Sequence, residues 1–204
     1  MRKKPFKLTE QRKHELKEAT VNYLRGLHSP INELEYALMA PGALNPRPRL
    51  SGTILLEPES MVSEAHYLHN GLAILYTIDA NSGLMKIFYI WEEDSIVVLY
   101  EEFKEKLPNG DYYIMLIEDA EMVSISNFCM DNIYDQHTVA YLLTQKIINE
   151  QISRRMMHTD ILLMESKTAR LAAFERKFPN LKGRLTWEQK CAFLGVKKST
   201  LGKS

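Results

Sequence analysis

Cysteine is almost missing from this chain: of 204 residues only Cys129 and Cys191 are thiols, and they stand far apart. That excludes a disulfide framework and any Cys-based metal-ligand spacing. It fits a reducing compartment. Net charge of either sign is missing too, with 26 Lys+Arg against 26 Asp+Glu. No apolar run reaches the length of about 18 residues that a membrane span needs. The opening MRKKPFKLTEQRKHELK has no apolar core to serve as a signal peptide, so a soluble, cytoplasmic protein without membrane contact is expected. Glycine and proline are absent from Asp131 to Met164. A stretch that long, free of breakers, is the first positive signal.

Within it, Val139, Leu143 and Ile147, then Ile148, Ile152 and Met156, recur in steps of four, which predicts one helix over 131–164. It exceeds an ordinary globular helix and has no internal cap, so a partner along its length is expected. The balanced charge hides an asymmetry. From Ser153 onward there are 12 Lys/Arg and 4 Asp/Glu, leaving the remainder acidic. A basic C-terminal end points to an anionic partner, nucleic acid above all, although solvated basic helix faces give the same count.

Before the long helix two patterns succeed each other. Thr9 caps a helix running to about Leu27, and Ser29-Pro30 reads as N-cap and first position of a second. APGALNPRPRL, rich in proline, reads as a linker, neither helix nor inner strand. From Leu50 to Ser126, strand-length apolar segments alternate with turns every 8 to 12 residues or so: GTILLE, EAHYLHNG, LAILYTID, LMKIFYIW, SIVVLY, YYIMLIE and AEMVSIS. That is the signature of antiparallel strands in a sandwich or barrel. EEFKEKL reads as a short inserted helix. After the long helix, Ser166 caps KTARLAAFERKF and Pro179 ends it. Thr186 with Gln189 makes a capping box for WEQKCAFL, and Gly195 stops that helix. Helix, Gly-containing turn, helix is the order of a helix-turn-helix.

These segments together resemble the Crp/Fnr transcription regulators. YLHNGLAILY, with Tyr67, Gly71 and Tyr76, followed by Ser82-Gly83, is similar to the Tyr/Gly hairpin of that family's cyclic-nucleotide-binding-type β-roll. LTWEQKCAFLGVKKSTLGKS is similar to its helix-turn-helix, where a Leu-Gly…Thr-Leu pattern opens the recognition helix. The resemblance covers about residues 20 to 204. It implies an α+β fold: N-terminal helices with an antiparallel β-roll of jelly-roll type, a long dimerisation helix, and a C-terminal helix-turn-helix domain. The implied divisions are 1–130, 131–164 and 165–204. It further implies a homodimer bound to a two-fold symmetric DNA site.

On that resemblance the DNA-binding residues are Lys197, Lys198, Ser199, Thr200 and Lys203. Lysines there supply charge but less bidentate base recognition than arginines. The recognition segment is short, KKSTLGKS, with Gly202 a weak helix former. The effector pocket falls to Tyr112, Tyr113, Arg155 and Met156. Arg155 either serves an anionic effector or pairs with an acidic residue of a partner subunit. Where cyclic-nucleotide binders carry Gly-Glu and Arg-Ser pairs, this chain has Glu93-Asp94-Ser95 and Gly110-Asp111. Asp111 repels a phosphate, so no tight cyclic AMP binding and no cofactor are expected, and any effector is an unidentified small molecule.

No set of residues supplies nucleophile, base and oxyanion roles together, so no catalytic site and no enzyme are expected. His66 and His69 are three apart on a strand and face opposite ways, so they predict no metal site. His137 and His158 read as surface or interface histidines, and Glu118, Asp119 and Glu121 as solvated turn carboxylates. The competing reading is a dimeric ligand-sensing or interaction protein of this fold that has lost specific DNA binding.

Overall fold

The computed structural model describes residues 7–197. Helices α1 (Glu10–Leu27) and α2 (Asn32–Met39) come first. Then follow β1 (Asn45–Arg49), β2 (Ile54–Leu56), β3 (Glu64–Leu68), β4 (Ala73–Ile78), β5 (Met85–Trp91) and β6 (Ser95–Val97). A short α3 (Tyr100–Glu105) precedes β7 (Tyr113–Leu116) and β8 (Ala120–Ser126). The chain continues through α4 (Asn127–Gln136), α5 (Thr138–Leu162), α6 (Lys167–Lys177), a 3-10 turn at Pro179–Leu181 and α7 (Trp187–Leu194). The strands form two four-stranded sheets in the orders β1-β8-β3-β6 and β2-β7-β4-β5. The architecture is α+β with antiparallel strands, and every strand expected between Leu50 and Ser126 is present.

Period two sorts the first sheet's faces. Leu68, Met122 and Val97 point inward and are buried. Tyr67 and Val123 point outward into a core made with Leu16, Ile31, Leu34, Ile133, Ala140 and Leu143 of the helices. Burial of each such aliphatic side chain contributes roughly 1.5–3 kcal/mol. Gly71, central to the Tyr/Gly hairpin pattern, has a geometric reason. Its φ is +93°, and a Cβ there would lie 2.9 Å from the Asp119 carbonyl oxygen and 3.0 Å from the Ala120 Cβ. No side chain fits that approach.

Three expectations need correcting. The segment read as a linker contains β1, an edge strand paired antiparallel with β8 from Asn45↔Ser124 to Arg49↔Ala120. Proline is tolerated because Pro46 and Pro48 share one parity. Asn45, Arg47 and Arg49 donate to the ladder, and the missing N–H groups fall on the open side. Next, α2 starts at Asn32 with no side-chain cap; Ser29 is not its N-cap. Ile31 takes φ −126° at the cap position and buries its side chain beside Leu34 and Leu38. Core packing outweighs capping chemistry here. Finally, the helix expected over 131–164 is broken. His137 is extended at φ −132° and ψ 95°, ending α4, and α5 begins at Thr138. Asp135, His137 and Thr138 are all weak helix formers, and the break falls on them.

The chain divides into two compact units, Met1–Ile74 with Ile90–Asn149, and Leu75–Tyr89 with Glu150–Ser204. The first holds most of the β-sandwich and the N-terminal helices. The second combines the β4–β5 hairpin with the end of α5 and the C-terminal helices.

Candidate nucleic-acid interface and effector cavity

Local sequence chemistry builds the C-terminal helices as expected. The Ser166 side chain accepts from the Ala169 N–H, and Thr186 and Gln189 form the reciprocal capping box of α7. Ala173, Phe174, Phe178, Leu181, Leu185 and Leu194 are buried beneath them. Phe193 meets Phe174 and Phe178 edge-on at 5.8 and 5.6 Å. Gly195 closes α7 in the left-handed conformation at φ 62°, where any other residue is strained. Arg170 acts structurally. Its Nε donates to the Met164 carbonyl at 2.7 Å, and a terminal nitrogen donates to the Leu194 carbonyl at 3.2 Å. One cation thus satisfies carbonyls after α5 and at the end of α7.

Lys197 is exposed just beyond that turn. Lys198, Ser199, Thr200 and Lys203 lie outside the described residues, as does the helix expected to carry them. The second unit also exposes Lys167, Arg176 and Lys182.

The four residues assigned to an effector pocket fall in both units. Tyr112 and Tyr113 are half-buried in the first, where the Tyr112 N–H donates to Asn109. Arg155 and Met156 are exposed in the second. The Arg155 guanidinium lies 5.7 Å over the Tyr89 ring, a cation–π contact within the chain. A cavity of about 60 Å³ opens instead between the sheets of the first unit, lined by Leu56, Val62, Glu64, His66, Val97 and Ile114 among others. Ligand pockets for drug-sized molecules run to roughly 300–1,000 Å³. Burial pushes His66 down to about 4, so its imidazole is neutral at pH 7. Glu64 accepts from the Ser124 hydroxyl at 3.3 Å and faces Arg47 at 3.6 Å.

The positions that replace the family's ribose and phosphate pairs have structural partners. Asp94 sits at φ 54° and accepts from the Tyr67 hydroxyl at 2.5 Å. The Gly110 carbonyl accepts from the Glu59 N–H at 3.1 Å. Asp111 is exposed.

Two residues differ from their expected roles. Glu121 is 8% exposed, not a solvated turn carboxylate. The Arg12 guanidinium of α1 grips it twice, at 2.6 and 3.2 Å, and Asn70 donates to it at 3.1 Å. Arg12 holds the Glu121 carboxyl below its ordinary value. A charged, half-buried pair of this kind contributes about 2 kcal/mol. The folded-state value is depressed, so that contribution is complete above about pH 4.5 and fades as pH falls below it. Glu121→Gln is therefore expected to lower stability by about 2 kcal/mol at pH 7 in urea titrations, with the gap to wild type closing toward pH 3. The second residue is His158, buried at 6% exposure within its own chain although it reads as a surface or interface position.

No protein-family model matches the chain, and no curated protein does. Solved structures do. One is a candidate transcriptional regulator of the Crp/Fnr family from Eubacterium rectale, with TM-score 0.70 at 15% identity over 87% of this chain and 83% of that one. The c-di-GMP-responsive global regulator CLP of Xanthomonas campestris gives 0.65 at 11% identity, covering 82% and 86%. FixK2 of Bradyrhizobium japonicum gives 0.65 at 11%, covering 77% and 80%. The fold is that of the Crp/Fnr regulators. Within the Crp/Fnr fold the described helices of this chain end at α7. Among the described residues no helix is long and apolar enough to cross a membrane, and no group of three potential ligands forms a metal site.

Proposed function

We propose that this chain is a homodimeric, DNA-binding transcriptional regulator of the Crp/Fnr type, acting in the cytoplasm with an effector other than cyclic AMP or with none. The observation that carries the reading is the C-terminal helical unit. Its α7 ends in a left-handed glycine that hands the chain to Lys197, inside a segment where basic residues outnumber acidic ones three to one. A helix entering the major groove after such a turn needs that charge to neutralise phosphates. Lys197 and Thr200 are assigned to phosphates, with Lys198, Ser199 and Lys203 toward base edges. The fold likeness to regulators, spanning four-fifths of the chain or more, supports the same reading.

The homodimer reading rests on α5. Leu142, Gln145, Asn149, Ile152, Met156 and Thr159 alternate in steps of three and four, and all are exposed. Val139 and Leu143, in contrast, pack into the first unit's core. The apolar series that looks continuous in sequence is thus divided between an inward face and an outward heptad-like stripe. A second copy of α5 is the natural cover for that stripe.

Fluorescence anisotropy on a labelled duplex from the protein's own upstream region tests the DNA reading. Between 50 and 200 mM salt, affinity is expected to fall by at least ~10-fold while discrimination over scrambled duplex persists. Equal affinity for both duplexes at every salt concentration overturns it in favour of an interaction protein of the same fold.

A further inference from the structure

The inward face of the first sheet is not uniformly apolar. Register places Arg47 opposite Met122 and Arg49 opposite Ala120. It sets His66 opposite both Ser124 and Val97, and Glu64 opposite Ser126. Opposed residues share a face, so two arginines, a glutamate and a histidine stand on the side that carries the buried Leu68, Met122 and Val97. The Ser124 hydroxyl donates to Glu64 Oε1 at 3.3 Å, and Arg47 faces that same oxygen at 3.6 Å. The second distance is too long for a hydrogen bond. Among the described residues neither guanidinium has a hydrogen-bonded acceptor, and Glu64 Oε2 has no donor. Glu64 and His66 also line the cavity of about 60 Å³, whose other walls include Leu56, Val62, Val97 and Ile114. We propose that this site binds a zwitterionic amino acid with a short aliphatic side chain, its carboxylate on Arg47, its ammonium on Glu64 and its side chain in the cavity.

Folding alone gives little reason for this arrangement. The Arg47 and Glu64 side chains are 39% and 33% exposed, and an ion pair that open and that long contributes little to stability. Polar groups on an inward face carry a cost until they are satisfied. An α-amino acid satisfies both ends together. Its two charged groups sit on one carbon, a spacing that matches a cation and a carboxylate 3.6 Å apart, so four charges alternate around the contact. The guanidinium offers a carboxylate two parallel N–H donors. A simple anion meets Glu64 as a like charge, and a simple cation meets Arg47 as one. Two arginines against one glutamate bias the face toward the carboxylate end. Size then sets the side chain. Liquid water occupies about 30 Å³ per molecule, so the cavity takes the volume of about two waters. That suits a few aliphatic carbons and excludes an aromatic ring. None of Tyr112, Tyr113, Arg155 and Met156 lines this cavity, and neither do the positions that replace the family's ribose and phosphate pairs. Calling the bound amino acid the effector rests on the regulator reading. Its binding does not.

The test is isothermal titration calorimetry on the full-length protein with L-valine, with isovalerate, which lacks the ammonium, with isobutylamine, which lacks the carboxylate, and with L-phenylalanine. L-Valine is expected to bind, and each single-ended analogue to bind at least ~10-fold more weakly, having lost one charge-assisted contact. L-Phenylalanine, too large for the cavity, is expected to fall behind L-valine as well. Arg47→Gln should weaken L-valine at least ~10-fold without weakening isobutylamine, and Glu64→Gln should weaken L-valine without weakening isovalerate. Absence of L-valine binding at millimolar concentration overturns the proposal. So does isovalerate, isobutylamine or L-phenylalanine binding as tightly as L-valine, or an unchanged L-valine affinity in either variant. If a variant does not fold, the four ligands on wild type decide by themselves. No DNA enters these measurements, so failure of amino-acid binding and failure of the regulator reading remain distinguishable.

Discussion

Phe174→Ala is expected to unfold the second unit under conditions where the first stays folded. Phe174 is fully buried, and its ring contacts Phe178 and Phe193, both at 5.8 Å. Truncating such a residue costs about 3–5 kcal/mol through lost transfer energy and the cavity left behind. Whole domains are stable by only about 5–15 kcal/mol, so a small helical unit has little to spare. The measurement is a urea titration followed by Trp187, at the start of α7, alongside far-UV circular dichroism. Trp187 should report a transition at much lower urea than wild type, while most of the β-sheet signal persists. Phe174→Leu, which fills more of the volume, should cost less. A single transition with an unchanged midpoint would show that the aromatic cluster is not the unit's core.

Ile152→Asp should dissociate the proposed dimer. The residue lies midway along the exposed stripe of α5, and a carboxylate there has to be desolvated against an apolar partner surface. The dimer constant should weaken at least ~100-fold, equivalent to about 3 kcal/mol, in sedimentation equilibrium. Arg155→Ala is the informative companion. Arg155 already rests over Tyr89 within its own chain, so removing it should leave association intact. A variant at Ile152 that sediments like wild type would place the interface elsewhere.

Much of the fold was legible because its signals are local. The strands from Leu50 to Ser126 announce themselves by alternating apolar residues and turn chemistry. The caps at Thr9, Ser166 and Thr186 need only residues three positions away. What escaped is what depends on distant neighbours. A proline-rich segment becomes a strand only when β8 offers its edge, and nothing in NPRPR announces β8. Glu121 looks like any turn carboxylate until Arg12 arrives from the far end of the chain. His158 looks like a solvated polar residue until the Phe193 ring of α7 stacks on it. The break at His137 was hidden for the opposite reason. No glycine or proline marks it, the apolar steps of four begin only after it at Val139, and periodicity counts neither a single extended residue nor the change of face between Leu143 and Ile152. Of the candidate site, the basic end and the glycine stop were visible from sequence. The small cavity at His66 was not, since it needs both sheets.

The parity of Pro46 and Pro48 has a consequence for how copies of this protein meet. A sheet margin usually offers a row of free amide donors on which a stray strand can template itself, the first step toward aggregates. Along β1 the outward-facing donors at alternate positions do not exist, because proline has none. Carbonyls alone cannot zip a neighbour into register. Self-recognition through this margin of the sandwich is chemically disarmed.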